Sequence, residues 1–182
     1  MEILSTEFEG LFVITPKVFH DERGYFFESY NKRLLDKFNT IRFIQDNESK
    51  SSKNIIRGLH FQIPPYDQTK LIRVVQGEIL DVVVDLRKNS STFKKKFSIT
   101  LDDKNKKQLL VPSGFAHGFI TLSDNCIINY KVDNTYSKKH ERGIIFSDSD
   151  LNINWGISES EAIISKKDSQ LPYLKDLDDF FD

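Results

Sequence analysis

The stretch that decides the fold is "IIRGLHFQIPPYDQTKLIRVV", residues 55–75, which has the pattern of two strands joined by a turn. β-Branched and other apolar residues fill both halves, and the turn-forming residues 64–67 lie between them. His60 interrupts the first apolar half, and Lys70 interrupts the second. The pattern therefore predicts two neighbouring strands that carry an imidazole and an ammonium group.

Much of the remaining chain has the same strand-and-turn pattern. The segments rich in β-branched and aromatic residues are 10–19, 23–30, 41–47, 54–62, 69–76, 78–86, 93–101, 107–112, 118–123, 126–132 and 142–147. Their regular spacing favours an all-β sandwich or barrel over alternating strands and helices. We predict one domain over residues 1–182, with a short helix at 31–39 and a C-terminal tail of loops and a short helix from about residue 156.

Composition excludes several classes of protein. The chain has 182 residues, of which 38% are hydrophobic and 29% charged. A chain of this length can bury a full core. Its single cysteine, Cys126, excludes an internal disulfide and fits a reducing cytoplasm. A net charge of −1 provides no basic field for nucleic acid. Without a signal-peptide pattern or an 18-residue apolar run, we expect a cytoplasmic protein with neither nucleic-acid nor membrane partners.

Strand alternation places several polar groups on apolar faces, because successive residues of a strand point to opposite sides. The polar residues with mostly apolar neighbours on their face are His60, Lys70, His117 and Tyr130. Taken singly, a histidine or tyrosine at such a place is more often structural, and a lysine often extends to solvent. Together they indicate a binding cavity, since an inward lysine and histidine are costly to bury without a partner for their charge.

The spacing of the possible metal ligands argues against a metal site. "VPSGFAHGFIT", residues 111–121, has the Pro-x-Gly-x-x-His form of the second cupin motif, and Gly77 fits the turn of the first. A metal-binding cupin would offer a His-x-His pair followed by a carboxylate, because a transition metal needs about three or four converging ligands. Here Gln62 replaces the second histidine after His60, and Gln68 stands near the place of the carboxylate. We therefore expect no bound metal.

Four segments together resemble the dTDP-4-dehydrorhamnose 3,5-epimerase family. They are "KVFHDERGYFFESYN" (17–31), the run from "QDNESK" to "SSTF" (45–93), "VPSGFAHGFITLS" (111–123) and "SKKD" (165–168). The resemblance extends over about residues 1–172. It implies a cupin-type jelly roll, a homodimer, an isomerase without metal or organic cofactor, and a nucleotide-diphosphate-linked 4-keto-6-deoxy sugar as substrate.

The same resemblance assigns roles to individual residues. A ketone at C4 acidifies the hydrogens at C3 and C5, so epimerisation needs a base on one face, an acid on the other and a cation near the enolate oxygen. The implied catalytic residues are His60 as base, Asp168 as the carboxylate that orients it, Tyr130 as opposite-face acid and Lys70 as the cation. The implied substrate contacts are Arg23, Phe26 and Glu28 from across the dimer interface, and Gln45, Asn47, Arg57, His117, Tyr136, Glu141 and Lys167.

Two departures from the family pattern leave the substrate open. "NTYSKKHE", residues 134–141, lacks the first Tyr and the Pro of the usual Tyr-Tyr-x-Pro, and "INWG", residues 153–156, ends in Gly instead of Pro. The family also includes 3-only and 5-only epimerases and relatives that act on GDP-linked keto-heptoses in capsule synthesis. Beyond epimerases, a 3,4-ketoisomerase would not need the acid Tyr130, and a non-catalytic sugar-binding cupin would have lost part of the catalytic set. The complete set favours an epimerase for cell-surface polysaccharide synthesis.

Overall fold

The computed structural model describes residues 1–35 and 41–182, and nearly all of its regular structure is β-strand. The strands are Glu2–Ser5 (β1), Phe12–Thr15 (β2), Phe19–Asp21 (β3), Gly24–Phe26 (β4), Gln45–Ser51 (β5), Ile55–Gln62 (β6), Lys70–Gln76 (β7), Glu78–Asp85 (β8), Lys96–Asp102 (β9), Gln108–Val111 (β10), Phe115–Thr121 (β11), Cys126–Val132 (β12), Glu141–Gly143 (β13) and Ile163–Ile164 (β14). The α-helix of the described residues is Lys32–Leu35 (α1). No helix in these two ranges is long and apolar enough to cross a bilayer.

The strands form two main sheets and a separate hairpin. The first sheet has the order β1-β2-β10-β7-β12-β5, and the second has the order β13-β6-β11-β8-β9. Pairing within both orders is antiparallel, whereas β14 joins the second sheet as a parallel neighbour of β6. Strands β3 and β4 pair only with each other. The predicted all-β sandwich is confirmed.

The two sheets bury a shared apolar core. Its buried members come from both sheets and the loop before β2, and they are Phe8, Leu11, Val13, Ile72, Val74, Ile79, Val83, Leu101, Leu109, Val111, Phe115, Phe119, Cys126 and Ile128. Tyr130 is partly buried against this core, as alternation along β12 predicts. The inward faces of the strands therefore hold the sandwich together.

The C-terminal stretch covers the outer face of the second sheet. Leu151, Trp155, Leu174 and Leu177 are buried there against residues of β6, β8 and β11. The Trp155 indole N–H donates to the carbonyl of Phe146 at 2.8 Å, which fixes the start of this cover. Because β11 is buried along its whole length, its sequence is apolar almost throughout instead of alternating.

Some boundaries differ from the sequence predictions. The strand predicted at 41–47 is β5 at Gln45–Ser51, and its polar sequence gave no alternation signal because it is the edge of the first sheet. The predicted helix at 31–39 is seen as α1, and the rest of that segment lies outside the described residues. From residue 156 onward the chain contains 3-10 helices at Glu159–Glu161, Asp168–Gln170 and Leu174–Asp176. The division into a single domain with a tail stays a prediction.

A β-bulge in β6 changes which side chains face inward. The pairing register between β6 and β11 shifts by one residue near Gly58, so β6 has an extra residue there. Gly58 has a φ of +114°, and a Cβ on it would lie 2.6 Å from the Cα of Gly118. The bulge lets Arg57 and His60, three residues apart, line the same cavity, whereas a regular strand would point them to opposite faces.

We predict that Gly58→Ala destabilises the fold by about 2–4 kcal/mol, because the new methyl group meets β11 backbone and the φ is unfavourable for alanine. Urea unfolding would measure the loss. Gly156 is the matched control, since it has a φ of +76° and nothing within 4 Å of an added Cβ. Gly156→Ala should cost only about 1 kcal/mol. Equal losses in the two variants would contradict the close approach of β6 and β11.

Candidate active site

A cavity of about 490 Å³ opens between the two sheets. We call it the main cavity, and its lining residues are Ser49, Ile55, Ile56, Arg57, His60, Lys70, His117, Phe119, Tyr130, Ile163, Ile164, Ser165, Lys167 and Asp168. A side cavity of about 360 Å³ adjoins it and shares His60, Lys70 and Tyr130. The other residues of the side cavity are Gln45, Asn47, Phe61, Gln62, Gln68, Tyr136 and Glu141.

The polar residues predicted from strand alternation come from both walls of the main cavity. His60 on β6 and His117 on β11 are direct cross-strand partners in the second sheet. Lys70 on β7 and Tyr130 on β12 belong to the first sheet. The structure thus brings all four side chains to one cavity. Their chemical roles stay predictions.

His60 is bonded to an acid from the C-terminal stretch. Its Nε2 lies 2.8 Å from Oδ1 of Asp168, whose side chain is only 5% exposed. The backbone N–H of Gly58 donates to Oδ2 of the same carboxylate at 3.2 Å. Burial raises the pKa of Asp168. The hydrogen bond from His60, the charge of His60 and the hydrogen bond from the Gly58 N–H lower it by more, so the pKa of Asp168 lies below its usual value. The ionised carboxylate can therefore orient the imidazole and stabilise its protonated form.

Lys70 lies beside His60, and the pKa of its ammonium group is lowered. Its Nζ lies 3.5 Å from the His60 carbonyl oxygen. Loss of solvent around the ammonium group lowers the pKa of Lys70 to about 8, although the negative charges of Asp81 and Glu141 act in the opposite direction. Lys70 is therefore charged at neutral pH and loses its charge in mildly alkaline solution.

We predict that turnover falls as the pH rises through about 8, because the protonated form of Lys70 is the one that can stabilise an enolate. A profile of kcat against pH would measure this alkaline limb. The matched variant is Lys70→Arg, whose guanidinium stays charged, so any activity that it retains should not fall over this range. An alkaline limb that stays in place in Lys70→Arg would assign it to another group.

His117 is held by a second acid. Its Nε2 lies 2.9 Å from Oδ2 of Asp81, and both side chains are buried. The other oxygen of Asp81 has no hydrogen-bond partner among residues 1–35 and 41–182. Asp81 thus fixes the His117 ring and adds negative charge near Lys70.

Tyr130 remains a neutral hydroxyl within the cavity. Burial is the main cause that raises its pKa, and the negative charge of Glu141 adds to it. The positive charge of Arg57 acts in the opposite direction without reversing the shift. A protonated phenol at this place can donate a proton or a hydrogen bond to a ligand.

Three predicted contact residues form what we call the rim cluster: Tyr136, Glu141 and Lys167. The Tyr136 hydroxyl donates to Glu141 Oε2 at 2.8 Å, and Lys167 Nζ donates to Oε1 at 2.5 Å. Burial raises the pKa of Glu141, but these two bonds, with the charges of Lys167 and His60, outweigh it and keep the pKa below its usual value. The rim cluster therefore holds an ionised carboxylate.

Three further predicted contacts line the cavities. Gln45 and Asn47 lie on β5, where the Gln45 amide donates to Asn47 Oδ1 at 2.8 Å, and both border the side cavity. Arg57 borders the main cavity, and its Nε donates to Ser51 Oγ at 3.1 Å. The remaining N–H groups of the guanidinium can serve an anionic ligand such as a diphosphate.

Arg23, Phe26 and Glu28 do not reach the cavities within one chain. Arg23 forms an ion pair with Asp21 at 2.5 Å in the β3–β4 hairpin, and both side chains are at the surface. Phe26 is 67% exposed, and Glu28 accepts a bond from Asn31 at 3.2 Å. A single chain leaves these three residues without the substrate contact that the sequence predicts.

Gln62 and Gln68, which stand at the ligand positions of a metal-binding cupin, bind main-chain groups instead. The Gln62 amide bonds to loop backbone, and the Gln68 amide donates to the Asn134 carbonyl at 2.8 Å. Among the described residues, no three His, Cys, Asp or Glu side chains converge as metal ligands. The absence of a metal requirement stays a prediction.

Sequence reasoning missed Asp81 and Ser49. Asp81 is an acid within the apolar strand β8, and this isolated charge could have indicated a buried pair. Ser49 lines the main cavity, and its buried hydroxyl has no partner in the described part of the chain. Nothing in the polar sequence of β5 distinguishes this serine from its neighbours.

Known proteins resemble this chain over nearly its whole length. The family model for dTDP-4-dehydrorhamnose 3,5-epimerase matches residues 5–176. The chain belongs to the dTDP-4-dehydrorhamnose 3,5-epimerase family. A curated member of this family from Shigella flexneri, named dTDP-4-dehydrorhamnose 3,5-epimerase, is 46% identical over 182 residues, which is 99% of each chain.

Solved structures of epimerases share the fold. The enzyme from Bacillus anthracis, solved with TDP and PPi bound, is 48% identical with a TM-score of 0.91 over 95% of this chain and 99% of that one. A dTDP-6-deoxy-D-glucose-3,5-epimerase from Legionella pneumophila, solved with dTDP-4-keto-L-rhamnose, is 40% identical with a TM-score of 0.92 over 97% and 94%. The fold predicted by the family resemblance is thereby confirmed.

Proposed function

We propose that this chain inverts C3 and C5 of a dTDP-linked 4-keto-6-deoxy sugar. The observation that carries the proposal is that His60 and Tyr130 enter the main cavity from facing sheets. A sugar ring held between the sheets would meet an imidazole on one face and a phenol on the other. Inversion needs this arrangement, since the proton leaves one face and returns to the opposite one.

Each residue has one task in the proposed mechanism. His60 takes the proton from the carbon next to the ketone, and Asp168 stabilises the imidazolium that results. The electron pair of the broken C–H bond forms the enolate, whose oxygen is stabilised by the charge of Lys70. Tyr130 then protonates the carbon from the other face, and solvent restores both protonation states. No net oxidation or reduction occurs.

The competing functions are less well supported. A 3,4-ketoisomerase needs no acid on the face opposite the base, yet Tyr130 lies in the cavity. A non-catalytic sugar-binding protein has no need for the pair of His60 and the buried Asp168 beside the cation of Lys70. We also propose dTDP as the nucleotide, because both solved relatives described above hold TDP or a dTDP-sugar.

The proposed setting is cytoplasmic synthesis of a cell-surface polysaccharide. Cys126 is the single cysteine and is buried as a free thiol, which fits a reducing compartment.

The proposed epimerisation is tested by incubating the protein with the dTDP-linked 4-keto sugar in D₂O and following deuterium at C3 and C5 by NMR. Exchange and inversion at both carbons would support it, exchange at one carbon would indicate a mono-epimerase, and no exchange would refute it.

We predict that Tyr130→Phe separates proton removal from inversion. His60 can still form the enolate and return a deuteron on its own face, so exchange should continue while inversion slows by about 10²-fold or more. The same NMR assay measures both rates. His60→Asn is the matched control, and it should lose exchange and inversion together. An unchanged ratio of exchange to inversion in Tyr130→Phe would remove Tyr130 from the catalytic set.

We further propose a homodimer in which the β3–β4 hairpin of one chain reaches the cavity of the other. The hairpin pairs with no other strand among the described residues, and it exposes three large aromatic side chains, Phe19, Tyr25 and Phe26. Such a surface is typical of an interface. Docking on a second copy would cover these rings and bring Arg23 and Glu28 to the substrate.

Complementation between inactive variants tests this shared site. We predict that Arg23→Ala and His60→Asn are each nearly inactive as homodimers. When the two are co-expressed and purified together, half of the dimers are mixed, and one site in each mixed dimer has both residues. About a quarter of wild-type activity should therefore return. No recovery in a proven mixed dimer would mean that Arg23 acts within its own chain or not at all.

A further inference from the structure

Gln62, at the end of β6, has its side-chain amide fully engaged with loop backbone. Its Nε2 donates to the carbonyls of Tyr66 at 2.7 Å and Thr135 at 3.1 Å, and its Oε1 accepts from the N–H of Ser137 at 2.6 Å. An amide has two N–H donors and one oxygen, so each group has a partner. Gln62 borders the side cavity, but its polar atoms are directed to the chain and not to a ligand.

Two of these bonds hold the residues on either side of Tyr136. Thr135 precedes it and Ser137 follows it, so one side chain fixes the backbone on both sides of the tyrosine. Tyr136 itself is 56% exposed, and packing contributes little to its position. Its hydroxyl nevertheless reaches Glu141 at 2.8 Å. Gln62 therefore sets the place from which Tyr136 makes this bond.

Gln62 also lies next to the acid of the rim cluster. Gln62 and Glu141 are direct cross-strand partners in the pairing of β6 with β13. Glu141 in turn accepts a hydrogen bond from Lys167 at 2.5 Å. The charge of His60, which lies two residues before Gln62 on β6, helps to lower the pKa of Glu141. The glutamine thus connects the strand of the candidate base to all three members of the rim cluster.

We propose that Gln62 is a positioning residue for substrate binding, which holds Tyr136, Glu141 and Lys167 in the geometry that the substrate meets. This inference rests on the proposed epimerase function. Small displacements of binding groups are costly, since a shift of about 1 Å can reduce a rate by about 10²-fold. The three hydrogen bonds of the Gln62 side-chain amide keep the loop from making such shifts.

The variant Gln62→Met removes the amide at nearly constant volume. We expect KM to rise about tenfold or more, because the rim cluster loses its geometry, while kcat stays within about threefold because His60, Lys70 and Tyr130 keep their places. A glutamine that only stabilises the fold would lower the urea midpoint and leave KM unchanged. The ratio of the two kinetic effects separates these roles.

A double-mutant cycle with Tyr136→Phe gives the decisive measurement. Alone, Tyr136→Phe should raise KM about tenfold, whereas in the Gln62→Met background it should add less than about twofold, since the tyrosine has already lost its position. Independent, multiplying effects would overturn the inference. Asp148 is the matched control, because its buried carboxylate accepts three main-chain N–H groups and lines neither cavity. Asp148→Asn should lower stability and leave KM unchanged.

A second variant covers the case in which Gln62→Met does not fold. Gln62→Glu keeps the volume and the acceptor for Ser137, but it turns a carboxylate toward the Tyr66 and Thr135 carbonyls. A folded Gln62→Glu with raised KM supports the proposal, and one with wild-type KM refutes it. If the wild-type protein shows no exchange in D₂O, the proposed function fails. If it is active while the Gln62 variants bind normally, only this inference fails.

Discussion

The whole site depends on how charge is kept inside an apolar sandwich. Asp81 and Asp168 are nearly or completely buried, and each is bonded to a histidine. Removing one partner of a buried pair such as His117–Asp81 costs about 3–5 kcal/mol, because the other charge is then left without compensation. The two acids therefore fix both rings before any ligand arrives. Asp81 also acts on Lys70, since its negative charge raises the pKa that burial of the ammonium group lowers.

The facing sheets and the bulge supply the geometry that these charges need. One sheet carries His60, the proposed base, and the other carries Tyr130, the proposed acid, so the distance between them is set by the packing of the core and not by a flexible loop. The bulge at Gly58 then adds Arg57 to the same wall as His60. A rigid scaffold of this kind holds reacting groups in place without further reorganisation, and preorganisation is the main source of electrostatic catalysis.

Local patterns in the sequence predicted the parts of the fold that depend on local physics. Alternation along single strands gave the inward faces of His60, Lys70, His117 and Tyr130, because it needs only the pleat of a strand. It did not predict Arg57, whose orientation depends on a register shift against β11. It also missed Asp81, because the pairing of His117 with an acid 36 residues away is a tertiary event. The roles given to Asp168 and the rim cluster came from family resemblance, which carries such long-range information.

The C-terminal cover supplies one half of a contact between distant parts of the chain. His60 and Asp168 are 108 residues apart in the chain, so their contact closes a long loop and costs conformational entropy. The stretch that carries Asp168 holds β6 through the two-residue strand β14 and through side-chain packing. If this stretch detaches while the sandwich persists, His60 loses its carboxylate although the sheets remain folded. Activity is then lost through detachment of the cover, before the core unfolds.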